Sequence, residues 1–294
     1  MELIKKFFSH FPILLQILFL GVYLSPGFSY AQNSVSANEK SKELVLTKHF
    51  LNLPVQNNVQ MQKMSLVVEG ESVRDFDIEL AVNKPDFWVF IDISTFKGKN
   101  AVLTVKQAPS NSEGFDMIYQ SDTIKDEETL YREKLRPQFH FSSRRGWNND
   151  PNGLVYYNGE YHLFYQHNPY GWKWGNMHWG HAVSGDLINW KELPDALYPD
   201  RLGTMFSGSA VIDQNNSSGF QTGNEKVMVA VYTANSPETQ VQCIAYSNDK
   251  GRTWTKYDGN PVIGDRRKIV GSTNDRDPKV RDPKVFRHNP TNKW

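Results

Sequence analysis

The sequence is nearly free of cysteine: Cys243 is the only one among 294 residues. No disulfide can form within the chain, and no cysteine near the N-terminus is placed to carry a lipid. An excess of one charge is also missing, since 33 basic residues meet 32 acidic ones for a net charge of +1. That balance gives no pull toward nucleic acid or an anionic membrane surface, and neither is expected as a partner. Long apolar runs are confined to Ile13–Leu24, which is too short for a comfortable membrane span. With Lys5 and Lys6 before it and the small-residue stretch "SYA" ahead of Gln32, it reads as a secretory signal over residues 1–31. The expected mature protein is exported, to the periplasm, cell surface or medium. It keeps no stable membrane span once the signal is removed.

What is present is a core-forming composition, 39% hydrophobic and 13% aromatic, which excludes a disordered chain. Aromatics favour strands, and they also suit a sugar binder. Residues 32–43, "QNSVSANEKSKE", read as a polar linker. Residues 44–128 carry short β-type runs ("LVLTKHFLNLPV", "MSLVVEG", "FDIELAV", "FWVFIDIS", "AVLTVKQA") separated by Gly, Asn, Pro and Lys. They read as a small β-sandwich-like accessory domain, structural or carbohydrate-binding.

From His140 onward the pattern changes. "LVYYNGEYHLFYQ" is a hairpin signal, because Asn158-Gly159 suits the two positive-φ positions of a type I′ turn. That turn sets Tyr157 opposite Glu160 and Val155 opposite His162. Continued further, the register brings Asp150 near His167, with Gln166 at the same end. A loose repeat follows: "SGDLINW" (Ser184–Trp190) resembles "SNDKGRTW" (Ser247–Trp254), each after one strand and before another. Two units of about four strands result, with a third beginning at "KVFRH" (Lys284–His288). Repeated four-stranded antiparallel units are the mark of a β-propeller.

Three polar clusters fall at one phase of this repeat, at the first strand of a unit: "NNDPNG" (Asn148–Gly153), "FSGS" (Phe206–Ser209) and "RDPKV" (Arg281–Val285). Each alone reads as turn chemistry or a surface ion pair. In a propeller, first strands line the central channel, so clusters at equivalent ends meet at one mouth. Carboxylates brought together there suit glycoside hydrolysis.

The blocks "WNNDPNGL", "FYQHNP", "WGNMHWGHAVS", "LPDALYPD", "MFSGSAV" and "RDPKVF" resemble, in order, the signature blocks of glycoside hydrolase family 32, the invertases, inulinases and levanases. The resemblance covers residues 135–294. It implies an all-β chain: the small N-terminal β-sandwich, then about two blades and the start of a third from a five-bladed propeller. It also implies retaining cleavage of β-linked fructose from levan, inulin or sucrose, with no cofactor or metal ion. By the same resemblance Asp150 matches the nucleophile, and Asp282 with Arg281 the transition-state stabiliser. Asn149, Gln166, Trp174, Phe206 and Ser207 match positions of the substrate pocket. Trp147, Trp172 and Trp179 are further candidates to pack sugar faces. "SNDKGRTW" also resembles the Asp-box of sialidase-type propellers, against which the Asn-Asp-Pro-Asn-Gly block and the lack of an Arg cluster argue.

Two features depart from the family pattern. Its proton donor is the Glu of a Glu-Cys-Pro block, whereas Cys243 lies between Gln242 and Ile244, and nine residues follow Val285. The expectation is a fragment without the general acid, inactive alone, or a non-catalytic fructan-binding remnant. "RDPKV" also occurs twice in tandem, at Arg276–Val280 and Arg281–Val285. The family role goes to Asp282, with Asp277 as its duplicate. The oligomeric state and the preference among levan, inulin and sucrose stay open.

Overall fold

A computed structural model describes residues 38–264, 280–291 and 293–294. The signal (1–31), the first half of the linker stretch (32–37) and Asp277 lie outside the described residues. Among the described residues all the strands are antiparallel, in four sheets.

Two sheets form the N-terminal part. The first orders β1 (Asn38–Val45), β6 (Asn100–Ala108), β3 (Gln62–Val68) and β4 (Glu71–Ile78); the second orders β5 (Phe87–Asp92), β2 (Phe50–Val55) and β7 (Tyr119–Ser121). Alternation does the sorting: Gln62, Met64, Leu66 and Val68 of β3 are buried while the residues between them are not. Met64, Leu66 and Val68 meet Leu51 and Leu53 of β2 and Leu103 and Val105 of β6 in one core. Each fully buried Leu there contributes about 1.5–3 kcal/mol.

Residues 38–43, expected to be linker, are instead the first part of β1. They pair with β6 from Asn38–Ala108 to Glu43–Val102. The polar composition is that of an edge strand, whose ladder bonds come from the backbone while charged side chains discourage further pairing. Lys40 Nζ reaches Ser112 O at 2.8 Å, and Lys42 Nζ lies 5.6 Å from the Phe115 ring centroid.

Two four-stranded meanders follow. One is β8 (Trp147–Tyr157), β9 (Glu160–Asn168), β10 (His178–Ser184) and β11 (Lys191–Leu197). The other is β12 (Thr204–Asp213), β13 (Val227–Asn235), β14 (Gln240–Ser247) and β15 (Thr255–Lys256). They are the two blade-like units, and their first strands β8 and β12 pack against each other. Phe164, Trp179, Met205, Tyr232 and Cys243 fill the core between them. Asn158 (φ 49°) and Gly159 (φ 86°) make the tight turn between β8 and β9.

The repeated turns are built alike. Asp186 accepts the backbone N–H groups of Ile188 and Asn189, and the Trp190 indole donates to Leu187 O. Asp249 accepts from Thr253 N, and the Trp254 indole donates to Gly251 O. Lys284–His288, expected to open a third unit as a strand, joins no named strand; His288 makes a single bridge to Lys293. Side chains rather than a ladder satisfy the backbone just before it, as described below. Among the described residues no helix is long and apolar enough to cross a membrane.

Candidate active site

The register of β8 on β9 follows the turn only as far as Val155–His162. Two β-bulges then intervene. Asn152 pairs with Phe164 and Pro151 with Tyr165, after which Asn148 pairs with His167. Each bulge adds one residue on β8. Asp150 is therefore not beside His167, as simple continuation of the hairpin suggests. Asn149 and Asp150 are the two bulged residues opposite the single Gln166. Strand β12 carries a matching irregularity: Phe206 pairs with Thr233 and Gly208 with Tyr232, so Ser207 is the extra residue. A bulge re-aims side chains and leaves them unpaired. Here it turns one strand each of two neighbouring blades toward a common space.

That space is a cavity of about 240 Å3 lined by Trp147, Asn149, Asp150, Gln166, Trp174, Met177, Phe206, Ser207, Arg281 and Asp282. The eight described residues singled out from the sequence as catalytic or substrate-binding all lie in it. Asp150 is exposed to the cavity, and Ser207 Oγ stands 3.5 Å from its Oδ2. Trp174 is 64% exposed and meets the Phe206 ring edge-on at 6.2 Å. Gln166 is buried, and its amide donates to Met205 O at 2.9 Å, tying β9 to β12 rather than to Asp150. Trp179 is a core residue with no exposure, and its indole donates to Phe206 O at 2.9 Å, fixing the backbone at the β12 bulge. Met177 was not legible as a lining residue, since nothing in its type distinguishes it from core.

The Arg281–Asp282 segment is held by side chains of the second blade. Gln242 Nε2 donates to Val280 O at 2.6 Å, and Asp282 N donates to Thr233 Oγ1 at 3.0 Å. Ser209 Oγ donates to Pro283 O at 2.9 Å and accepts from Val285 N at 3.0 Å. Asp282 takes the left-handed conformation (φ 61°), a strain of about 1–3 kcal/mol that the surroundings must hold. Arg281 Nε lies 3.4 Å from Asp282 Oδ2, with both side chains 55% exposed. An exposed pair of this kind adds little stability, so its geometry matters more for what it presents to the cavity.

Behind the cavity, His167 points to the opposite face of β9 from Gln166. Its Nδ1 lies 2.8 Å from Asp195 Oδ1 and its Nε2 lies 3.0 Å from Arg145 O. Burial disfavours its charge, but the adjacent Asp195 carboxylate outweighs this and its pKa is pushed up to about 9. At His178 burial prevails instead, and its pKa is lowered to about 4.

The profile of the glycosyl hydrolases family 32 N-terminal domain matches residues 140–294, which contain all ten lining residues. The chain belongs to glycosyl hydrolase family 32. Residues 40–139 of this family 32 chain match a domain of unknown function (DUF4980). The levanase of Bacillus subtilis (strain 168) is 60% identical over 178 residues, covering 60% of this chain and 25% of the relative. The extracellular exo-inulinase of Aspergillus awamori is 45% identical over 183 residues, 56% of this chain and 34% of the relative. A crystal structure of exo-inulinase from the same fungus superposes with a TM-score of 0.51 at 44% identity, over 56% of this chain and 35% of that one. The chain thus spans about a quarter to a third of the length of these relatives.

Proposed function

We propose that this chain supplies the nucleophile-bearing part of an exported, retaining β-fructosidase acting on levan, inulin or sucrose. Asp150 is the nucleophile: its carboxylate attacks the anomeric carbon of a terminal fructosyl unit, the glycosidic bond breaks, and a fructosyl-aspartate ester forms. Water then hydrolyses the ester with net retention. Asp282, set beside Arg281, holds fructose hydroxyls as charge develops. Asn149, Gln166, Trp174, Phe206 and Ser207 shape the fructosyl pocket. The relatives' names support the substrate class, and that of the extracellular exo-inulinase supports export.

The observation that carries this reading is the pairing of carboxylates: Asp150 and Asp282 are the acids lining the cavity, among the described residues. This reading gives neither the part of proton donor, and the general acid of the cycle lies outside this pair. A cycle run without its general acid is slowed about 10²- to 10⁴-fold, so with only this pair of acids the expected behaviour is fructan binding without turnover at an enzyme's rate.

A substrate whose leaving group needs no proton separates a competent nucleophile from a mere binding surface. The chain is incubated with β-fructosyl fluoride and its intact mass recorded. The expected result is a single fructosyl adduct that is absent in Asp150→Asn, together with no fructose release from levan. No adduct on the wild-type chain favours the non-catalytic, fructan-binding alternative. An adduct that survives Asp150→Asn removes Asp150 from the role.

A further inference from the structure

A second cavity, of about 220 Å3, shares Trp174 with the first. Its walls come from both parts of the chain. Met61, Asp77, Ile78 and Glu79 belong to the N-terminal sandwich, and Tyr170 to Asn176 belong to the loop between β9 and β10. That loop is built into the sandwich. Tyr170 is 2% exposed, stacks on Phe76 at 3.9 Å between centroids, and forms part of the sandwich core. The Asn176 amide donates to Asp77 O at 2.7 Å and accepts from Asp77 N at 2.9 Å, standing in for a strand on the edge of β4.

Glu79 goes further than docking requires. It is 5% exposed, and burial of a carboxylate is costly unless its oxygens are satisfied. Two of their three partners come from the loop that carries Trp174. Oε2 accepts the Trp172 indole N–H at 2.8 Å, and Oε1 accepts Lys173 Nζ at 2.7 Å and Asn58 N at 3.1 Å. Lys173 Nζ also lies 4.7 Å from the Trp172 ring centroid. The indole is thus fixed by its N–H and by a cation on its ring, yet it stays 44% exposed and lines the cavity. Two rigidly placed, solvent-facing tryptophans with carboxylates and amides between them are the ingredients of a small-molecule site: apolar faces with a few oriented polar groups. Each cavity is smaller than the ~300–1,000 Å3 that takes a drug-sized ligand, the scale of a single sugar ring rather than a chain.

We infer that the sandwich completes a second sugar-binding position, for the unit of a fructan chain next to the fructosyl unit held at Asp150. Trp172 and Trp174 are its aromatic walls, and Glu79 is a positioning residue acting through Trp172. The inference rests on the fructan-binding reading of the first cavity. It gives the N-terminal domain a part in recognising oligomers rather than the single fructosyl unit.

Calorimetric titration of the whole 294-residue chain with fructose and with a trisaccharide of β-linked fructose tests this. The expected result is at least tenfold tighter binding of the trisaccharide. Trp172→Ala removes that advantage, Trp172→Phe keeps part of it, and Glu79→Gln reduces it, all with fructose affinity unchanged. A change in folding alone would move both ligands together, and Glu79→Gln decides the matter if Trp172→Ala does not fold. Equal affinities for the two sugars in the wild-type chain, or parallel losses in the variants, overturn the second position while leaving the first cavity's reading intact. Binding of neither sugar overturns both.

Discussion

The backbone N–H of Asp282 donates to Thr233 Oγ1 at 3.0 Å, while the same hydroxyl donates to Gln242 Oε1 at 2.8 Å. One buried hydroxyl on β13 therefore fixes the placement of a carboxylate far along the chain. It works through the backbone, so the Asp282 side chain lines the cavity beside Arg281. Gln242, in turn, holds Val280 O, so the segment is clamped on both sides of Arg281.

Thr233→Val keeps the shape and removes the hydroxyl. It leaves the Asp282 N–H and Gln242 Oε1 without partners, at a cost of about 1–3 kcal/mol. If Asp282 stabilises the transition state, the rate of adduct formation from β-fructosyl fluoride falls about tenfold or more, tenfold being ~1.4 kcal/mol. Thr233→Ser retains most of the rate. Time-resolved intact mass reads both.

Gly153 sits in the first β8 bulge with φ 56°. A Cβ there would meet Phe164 Cδ2 at 2.6 Å and Trp179 Cζ3 at 2.9 Å. Both rings are fully buried and packed, so neither can yield cheaply. Gly153→Ala is expected to destabilise by about 1–3 kcal/mol from overpacking alone, with the left-handed backbone adding to it. Urea denaturation gives the number, and an unchanged midpoint would mean that the bulge relaxes.

The His167–Asp195 pair gives a pH dependence of definite sign. The folded pKa of His167, about 9, lies above its ordinary 6.5. Its contribution is full below about 6.5, is eroded as pH rises, and is gone once pH passes about 9. The Asp195 carboxyl is buried, which opposes its charge, but His167 holds it below the ordinary carboxylate range. Its part is lost only on acidification. The melting temperature should therefore fall between pH 6.5 and 9. The double variant His167→Gln with Asp195→Asn, which avoids a lone buried charge, should show a flatter profile over that window.

The candidate site was legible in the sequence to an unusual degree because its residues come in local blocks. Asn149-Asp150 and Phe206-Ser207 are contiguous, and the turn at Asn158-Gly159 brings Gln166 to the end of the hairpin that holds Asp150. The same reasoning failed where a residue was added. The bulges at Asn149-Asp150 and Gly153-Leu154 shift the register twice, and nothing in strand periodicity reveals an inserted position. Residues 38–43 read as linker because their side chains are polar, while backbone pairing to β6 needs no apolar side chain. Glu79 and Thr233 gave no signal at all, since a lone polar residue in a strand resembles any solvent-facing one.

What the sequence determined by itself is therefore what short-range chemistry dictates: all-β architecture from alternation and turns, blade-like units from their repetition, and the candidate site residues from their blocks. Tertiary structure decided how those residues meet. Bulges aim Asp150 and Ser207 at one space, Thr233 and Gln242 clamp Arg281 and Asp282 beside them, and the sandwich holds the tryptophan loop through Glu79. The reason is that these arrangements depend on hydrogen bonds between residues 38 to 93 positions apart. No local pattern encodes the partner of such a bond until the sheets have packed.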